Sequence, residues 1–526
     1  MKVFEPQHIR NVALVGHKAC GKTSIAEAAL WAAKATPRLG NTQAGTSTLD
    51  YEPEEHKRVM TVSTSVASFE WKKTKFNVLD TPGDANFLRD TRVSLPAADA
   101  AVCVVSAKDG VEPMTERVFG WAVEEGLDRC FFVSKMDTES ADFSRTLEDI
   151  KEHACREAVP VQLPIGQGAG FEGVIDLLEE RALIFGSGDD GLYDWVEIPA
   201  QLRDEASHAR NQLIEDIAAN DEELMEKFFE EALTNEEIVS GLVAAMRSGS
   251  IVPVFCGSGT SNRGVTSWLD AWTRIGPSPA DRPAFVGTRD GEPAEVSADP
   301  EAQPQCQVFK TIVDQHAGKI SVLRVLSGTV KADLTLENVG RESGKERIGH
   351  PQVLIGKKMD AIEIVKAGDI FAVAKLKDVH TGDTLSSDGF RLAAVELAPP
   401  LISRAIHAAD PSQEDKILSG LQRIVEEDPG LVISRDPQSG EVLLSGTGQQ
   451  HIEVAVEKMQ RKFGVSCQLA LPRIPYQETF TKPVKNVEGK HKKQSGGHGQ
   501  FAVVMMDFAP AERGTDLTFD DAVVGG

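Results

Sequence analysis

The sequence is poor in the features that would make it a secreted, membrane or nucleic-acid-coating protein. Its seven cysteines (Cys20, Cys103, Cys130, Cys155, Cys256, Cys306 and Cys467) are odd in number, scattered and never in CxxC spacing. That pattern excludes a disulfide framework and a cysteine zinc site, and fits a reducing compartment. The longest apolar runs, such as Ala100–Ala107 and Cys130–Val133, fall far short of the roughly 20 residues that cross a bilayer. The opening residues run straight into a strand pattern with no apolar leader, so a cytoplasmic protein with no membrane partner is expected. Positive charge is in deficit, with 56 basic residues against 80 acidic ones and a net charge of −24. An acidic chain does not coat nucleic acid at large. Contact with RNA would need a local basic patch, and Lys490-His491-Lys492-Lys493 is one.

At 526 residues the chain is too long for a single core. From residue 9 to 137, apolar β-branched runs (Asn11–Val15, Asn77–Asp80, Ala101–Ser106, Phe131–Ser134) alternate with helical stretches (Lys22–Ala33, Val118–Glu125). This predicts a doubly wound α/β domain over 1–290 with a buried, mostly parallel sheet. A further apolar strand, Ile251–Cys256, resumes the pattern, so about 158–250 reads as an insertion whose second half is acidic and helical. The Pro- and Gly-rich tract Gly276–Pro304 reads as a linker. Period-2 runs with turn pairs such as Ser327-Gly328 and Thr381-Gly382 predict a β-barrel over 304–396. Residues 397–473 read β-α-β-β-α-β, the ferredoxin-like unit, and 474–526 read as the start of a further domain that the sequence does not complete.

The strongest motif is Gly16-His17-Lys18-Ala19-Cys20-Gly21-Lys22-Thr23, followed by Ser24. It matches G-x-x-x-x-G-K-[ST] between an apolar strand and a helix, where loop N–H groups and a helix N-terminus converge on phosphates. Lys22 is expected to reach the β- and γ-phosphates and Thr23 to ligate Mg²⁺. Cys20 reads as a small residue filling a tight loop. Asp80-Thr81-Pro82-Gly83 ends a strand, where a carboxylate holds the Mg²⁺ shell through water and the Gly83 N–H meets the γ-phosphate. Ser134-Lys135-Met136-Asp137 follows the next strand. An aspartate there accepts from N1 and N2 of guanine, a pair of donors that adenine lacks. Ser134 stands where Asn is usual, and Gly257-Ser258-Gly259 would close the base pocket with a backbone N–H. In the switch stretch Asp50–Thr61, Thr61 is the candidate second Mg²⁺ ligand. GTP or GDP with Mg²⁺ is therefore the expected ligand.

In this order, with an insertion between the third and fourth motifs, the elements resemble translational GTPases, most closely the elongation factor G family, and within it the divergent elongation-factor-G-like paralogues more than the main translocase. FKTIVDQHAGKISVLRVLSGTV resembles that family's barrel domain, EEDPGLVISRDPQSGEVLLSGTGQQHIEVAVEKMQRKFGV its third domain, and PYQETFTKPVKNVEGKHKKQSGGHGQFAVV the start of its fourth. The resemblance implies a GTPase acting on the ribosome, with ribosomal RNA and proteins as partners and a monomer as the working state. The alternatives are a GTP-binding switch or ribosome-associated regulator that hydrolyses poorly, or, further off, a release-factor or tetracycline-protection GTPase. Departures from the family pattern gather at the γ-phosphate. The family's DTPGH has Asp84 in place of its water-ordering His, its P-loop Asp is Ala19, its RGIT reads Arg58-Val59-Met60-Thr61, and its GELH reads Gly448-Gln449-Gln450-His451. An ionised Asp84 aimed at the phosphate would slow hydrolysis.

Overall fold

The computed structural model describes residues 2–523, apart from 231, 316, 342–343, 409–413, 475, 477, 513 and 516. Contacts divide the chain into two units, residues 1–435 with 442–471, and residues 436–441 with 472–526.

The first unit is built on β1 (Ile9–Val15), β2 (Ser65–Trp71), β3 (Thr74–Asp80), β4 (Ala100–Ser106), β5 (Asp128–Ser134), β6 (Ala158–Pro160) and, after the inserted segment, the strand Val252–Cys256. Their order across the sheet is β2-β3-β1-β4-β5-(Val252–Cys256)-β6, parallel except for the β2–β3 hairpin. β1, β3 and β4 are buried along their whole length because helices cover both faces, which is why they carry so little polar alternation. The helices are α1 (Lys22–Ala32), α2 (Pro53–Arg58), α3 (Leu88–Ser94), α4 (Pro113–Glu124) and α5 (Phe143–His153). α4 begins five residues before the apolar periodicity, at Pro113, since proline suits the first helical position, whose N–H needs no partner.

Two expectations need correction. β6 pairs in parallel with Val252–Cys256 and so belongs to the main sheet; the insertion starts after it. The first part of that insertion is a four-stranded antiparallel sheet of β7 (Gln162–Ile165), β8 (Gly173–Asp176), β9 (Arg181–Phe185) and β10 (Tyr193–Val196). Three helices follow, α6 (Arg203–Ala218), α7 (Glu222–Phe229) and α8 (Asn235–Ser248), and α9 (Val265–Ile275) comes after the strand Val252–Cys256. The predicted linker Gly276–Pro304 is also ordered. Phe285–Arg289 and Glu292–Val296 form a hairpin that Phe390–Leu392 joins as a third strand, over a small core of Phe285, Val296, Leu326 and Phe390. Its turn, Asp290-Gly291, has both residues at positive φ (52° and 86°), the two-residue turn that an Asp-Gly pair favours.

The barrel strands from Gln305 to Ser386 enclose their own core of residues such as Val308, Leu323, Phe371 and Leu385. A single bridge, Ile355 to Ala67, continues them into β2. The buried Lys75 ammonium lies 2.7 Å from Asp369 Oδ1 and fixes barrel to sheet. In the β-α-β-β-α-β segment, the sheet order Val432–Arg435, Val442–Gly446, Ile402–Ala408, Cys467–Ala470 is fully antiparallel, with α10 (Glu414–Glu427) and α11 (Gln449–Phe463) packed on it. The second unit contains a long antiparallel hairpin, Val484–Ser495 with His498–Phe508, on which Lys490, His491, Lys492 and Lys493 are all exposed.

Candidate functional site

The loop after β1 turns tightly enough to put its N–H groups on one side. Gly16 (φ 140°), Ala19 (φ 58°) and Gly21 (φ 108°) all adopt positive φ, and α1 starts at Lys22. Alternation of this kind makes a concave nest of backbone donors at a helix N-terminus, suited to phosphate oxygens. A side chain at Gly16 would put its Cβ 2.4 Å from the Val104 carbonyl oxygen, so only glycine fits there. The loop opens on a cleft of about 260 Å³.

Of the residues singled out from the sequence, Lys18, Ala19, Gly21, Lys22, Thr23, Ser24, Thr61, Gly83, Asp84, Ser134, Lys135, Ser258 and Gly259 line this cleft. Gly16, His17, Cys20, Asp80, Thr81, Pro82, Met136, Asp137 and Gly257 lie outside the lining. The Met136 side chain is fully buried in the core; its backbone ties the base motif to Gly257 O (3.2 Å) and accepts from Gly168 N (2.9 Å). Thr81 Oγ1 donates to Leu14 O at 2.7 Å, and His17 Nε2 lies 3.3 Å from Glu112 Oε1. Cys20 is buried, and that burial pushes its thiol up, so it is a packing residue and not a reactive thiolate. Asp50, Val59 and Met60 of the switch stretch also line the cleft, as do Thr42, Gln43 and Thr260, which carried no motif of their own.

Lys22 Nζ donates to Gly16 O (3.0 Å) and His17 O (2.7 Å), which holds the ammonium at the phosphate end. Thr23 Oγ1 and Thr61 Oγ1 are 3.1 Å apart, and Thr61 Oγ1 donates to Asp50 Oδ1 at 2.8 Å. The Thr61 segment is held by α2, whose Glu52–Glu55 capping box ties off its first turn. Behind them, both carboxylate oxygens of Asp80 are buried without a hydrogen-bond partner. Burial, and then the Asp50 carboxylate, push the Asp80 carboxyl well above the usual carboxylate range. An orphaned buried carboxylate beside two hydroxyls is a hard-oxygen set that suits Mg²⁺, so the residues present fit that ion.

Asp84 is the site's unusual anion. Burial alone would raise its pKa, but donation from the Asn86 side chain (2.7 Å) and backbone N–H (3.0 Å) and from Lys18 Nζ (3.2 Å) holds it below the ordinary value. The carboxyl is thus ionised near neutrality, and the neutral form that would avoid repelling a phosphate is not the one favoured here.

At the base end, Ser134 Oγ lies within hydrogen-bond reach of both Cys20 O and Val105 O, the latter at 3.2 Å. One hydroxyl proton serves only one carbonyl at a time, whereas the two amide protons of the usual Asn would serve both. Lys135 takes a left-handed backbone (φ 57°), and Asp137 Oδ2 accepts from Thr260 Oγ1 at 3.4 Å. Ser134→Ala is expected to cost about 1 kcal/mol of this bracing, weakening GDP binding about 5-fold in a fluorescent-nucleotide titration.

The family model for the elongation factor Tu GTP binding domain matches residues 7–278. Models for elongation factor G domain 2, domain III and domain IV match 303–388, 397–470 and 472–526. A crystal structure of a protein from Thermus thermophilus is 33% identical with a TM-score of 0.85, and the match covers 96% of this chain and 74% of that one. With a GTP-binding domain of this type followed in order by the elongation factor G domains, the chain belongs to the elongation factor G family of translational GTPases.

Proposed function

We propose that this GTPase works on the ribosome, in translocation or recycling, as a cytoplasmic monomer whose hydrolysis is slowed by Asp84. The observation that carries the reading is the ionised Asp84 side chain at the phosphate end of the cleft, one residue after Gly83, in the position of the family's water-ordering His. Thr23 and Thr61, with Asp80 through water, would hold Mg²⁺, which on binding supplies charge neutralisation for the phosphate oxygens. Lys22 and the Gly83 N–H would receive the γ-phosphate, and Asp137 with Lys135 the guanine. The exposed Lys490–Lys493 hairpin face would meet ribosomal RNA. The proposed layout is a GTPase domain over 1–290, a barrel over 304–396, a ferredoxin-like domain over 397–473 and a further domain from 474.

Asp84 is tied by three hydrogen bonds and carries a negative charge, so it is held away from the work of ordering an attacking water and repels the phosphate oxygens. Asp84→His is expected to raise single-turnover GTP hydrolysis on ribosomes about 100-fold or more over wild type, the scale of one positioned acid–base group. Equal rates would sink the assignment of Asp84 as the slowing group. Ribosomes that fail to stimulate either protein, with guanine-nucleotide binding intact, favour the second reading, a GTP-binding switch or regulator.

A further inference from the structure

The phosphate loop carries two lysines, and they are used differently. Lys22 is buried and already engaged by two carbonyls of its own loop. Lys18, in the third position of the loop, extends over the cleft with 56% of its side chain exposed, and its partner is Asp84 Oδ2 at 3.2 Å. The Asp84 side chain is only 8% exposed. Its other oxygen is taken by the two Asn86 donors, so Oδ2 is the oxygen left for Lys18.

The place of this ion pair gives it meaning. Gly83 packs so closely on the phosphate loop that a Cβ on it would sit 2.4 Å from Lys22 Nζ and 2.5 Å from Gly16 O. Asp84 follows directly, so a fixed anion lies one residue from the point where Lys22 marks the end of a bound polyphosphate. A triphosphate brought there meets like charge, and a diphosphate, shorter by one group, meets much less of it. An ammonium has three donors, so Lys18 can keep one on Asp84 and offer the others to phosphate oxygens.

We propose that Lys18 and Asp84 form a charge-paired sensor of the terminal phosphate, in which the Lys18 ammonium bridges the γ-phosphate of a nucleoside triphosphate to the Asp84 carboxylate. The pair makes the anion at position 84 compatible with triphosphate binding and adds a cationic contact specific to the triphosphate. The inference rests on the guanine-nucleotide reading of the cleft and deepens it. No group is transferred in the step; only ionic contacts are exchanged.

The test is equilibrium binding, in the presence of Mg²⁺, of fluorescent GDP and of a fluorescent non-hydrolysable GTP analogue to the full chain. Wild type is compared with Lys18→Met, Asp84→Asn and the double variant. Lys18→Met is expected to weaken the analogue at least 10-fold while changing GDP affinity less than 3-fold. Asp84→Asn in the Lys18→Met background is expected to restore the part of the analogue affinity that the uncompensated anion had cost, leaving the loss of the Lys18 contact itself. GDP binding doubles as the check that each variant is folded. An equal loss for both nucleotides, no loss at all, or no restoration in the double variant overturns the sensor while leaving the nucleotide site standing. Wild type that binds neither nucleotide overturns the guanine-nucleotide reading and the sensor with it.

Discussion

Gly83→Ala is expected to weaken binding of a non-hydrolysable GTP analogue about 30- to 100-fold while GDP affinity changes little. The added methyl would lie 2.4 Å from Lys22 Nζ, 2.5 Å from Gly16 O and 2.7 Å from the His17 carbonyl carbon. A lysine tip can move aside, but the two backbone atoms are held in the phosphate loop, where the positive φ values of Gly16 and Ala19 fix the chain path. The segment that begins at Gly83 must therefore retreat. Its neighbours resist: Thr91 Oγ1 holds Pro82 O at 2.7 Å, and Thr81 Oγ1 holds Leu14 O. Overpacking of this kind costs about 1–3 kcal/mol. The retreat carries away the backbone N–H proposed to meet the γ-phosphate, which explains why the triphosphate suffers and the diphosphate does not. Comparable losses for both nucleotides would place the damage in the phosphate loop and refute the switch assignment. Equal affinities before and after the substitution would show that the close approach of Gly83 to Lys22 is not kept in solution.

Much of this site was readable because phosphate-binding chemistry is local. The G-x-x-x-x-G-K-[ST] spacing already requires backbone donors to turn toward one point, and the structure supplies positive φ at Gly16, Ala19 and Gly21. The barrel and the β-α-β-β-α-β segment were readable from periodicity, since each buries one face of its strands. β2 was missed for the opposite reason. It returns to β3 through Lys72 and Lys73, both at positive φ (44° and 68°), and a Lys-Lys pair gives no turn signal. The hairpin inside the supposed linker was announced by Asp290-Gly291, but its proline-rich surroundings masked that pair. Met136 shows the limit of a linear motif: the tetrad places it beside the base, yet its side chain points into the core. The Lys18–Asp84 pair lay beyond linear reasoning, because 66 residues separate partners that only the fold of β1 and β3 brings together.

Contacts between the switch segment and the β-α-β-β-α-β segment are equally non-local, and they give the second large effect. Glu427, at the end of α10, is buried between Lys458 Nζ (2.7 Å) and Lys462 Nζ (2.5 Å) of α11, and also accepts from Val313 N of the barrel at 3.2 Å. Lys462 lies 3.5 Å from Glu52, which caps α2, and Arg461 grips Glu54 through two nitrogens at 2.8 and 2.9 Å. One carboxylate therefore pins three elements and, through its lysines, reaches the switch helix. Glu427→Gln leaves two buried ammonium groups with their main counter-charge removed, at a cost of about 3–5 kcal/mol. Amide hydrogen exchange in α10 and α11 is expected to accelerate about 100-fold or more, with the core strands β1 and β4 unchanged. Although burial works against ionisation, Lys458 and Lys462 hold the Glu427 carboxyl far below the ordinary range. Because the folded-state pKa is depressed, this stabilisation is complete above the unfolded glutamate pKa of about 4.3 and disappears as pH falls through the lower folded value. Protection of α11 in wild type should therefore persist at pH 5 and fall only in stronger acid. In Glu427→Gln that acid-dependent component should be missing, since no proton remains to be taken up at this position. Wild-type and variant helices with equal protection at neutral pH would show that the ion cluster contributes nothing net to the docking of α11.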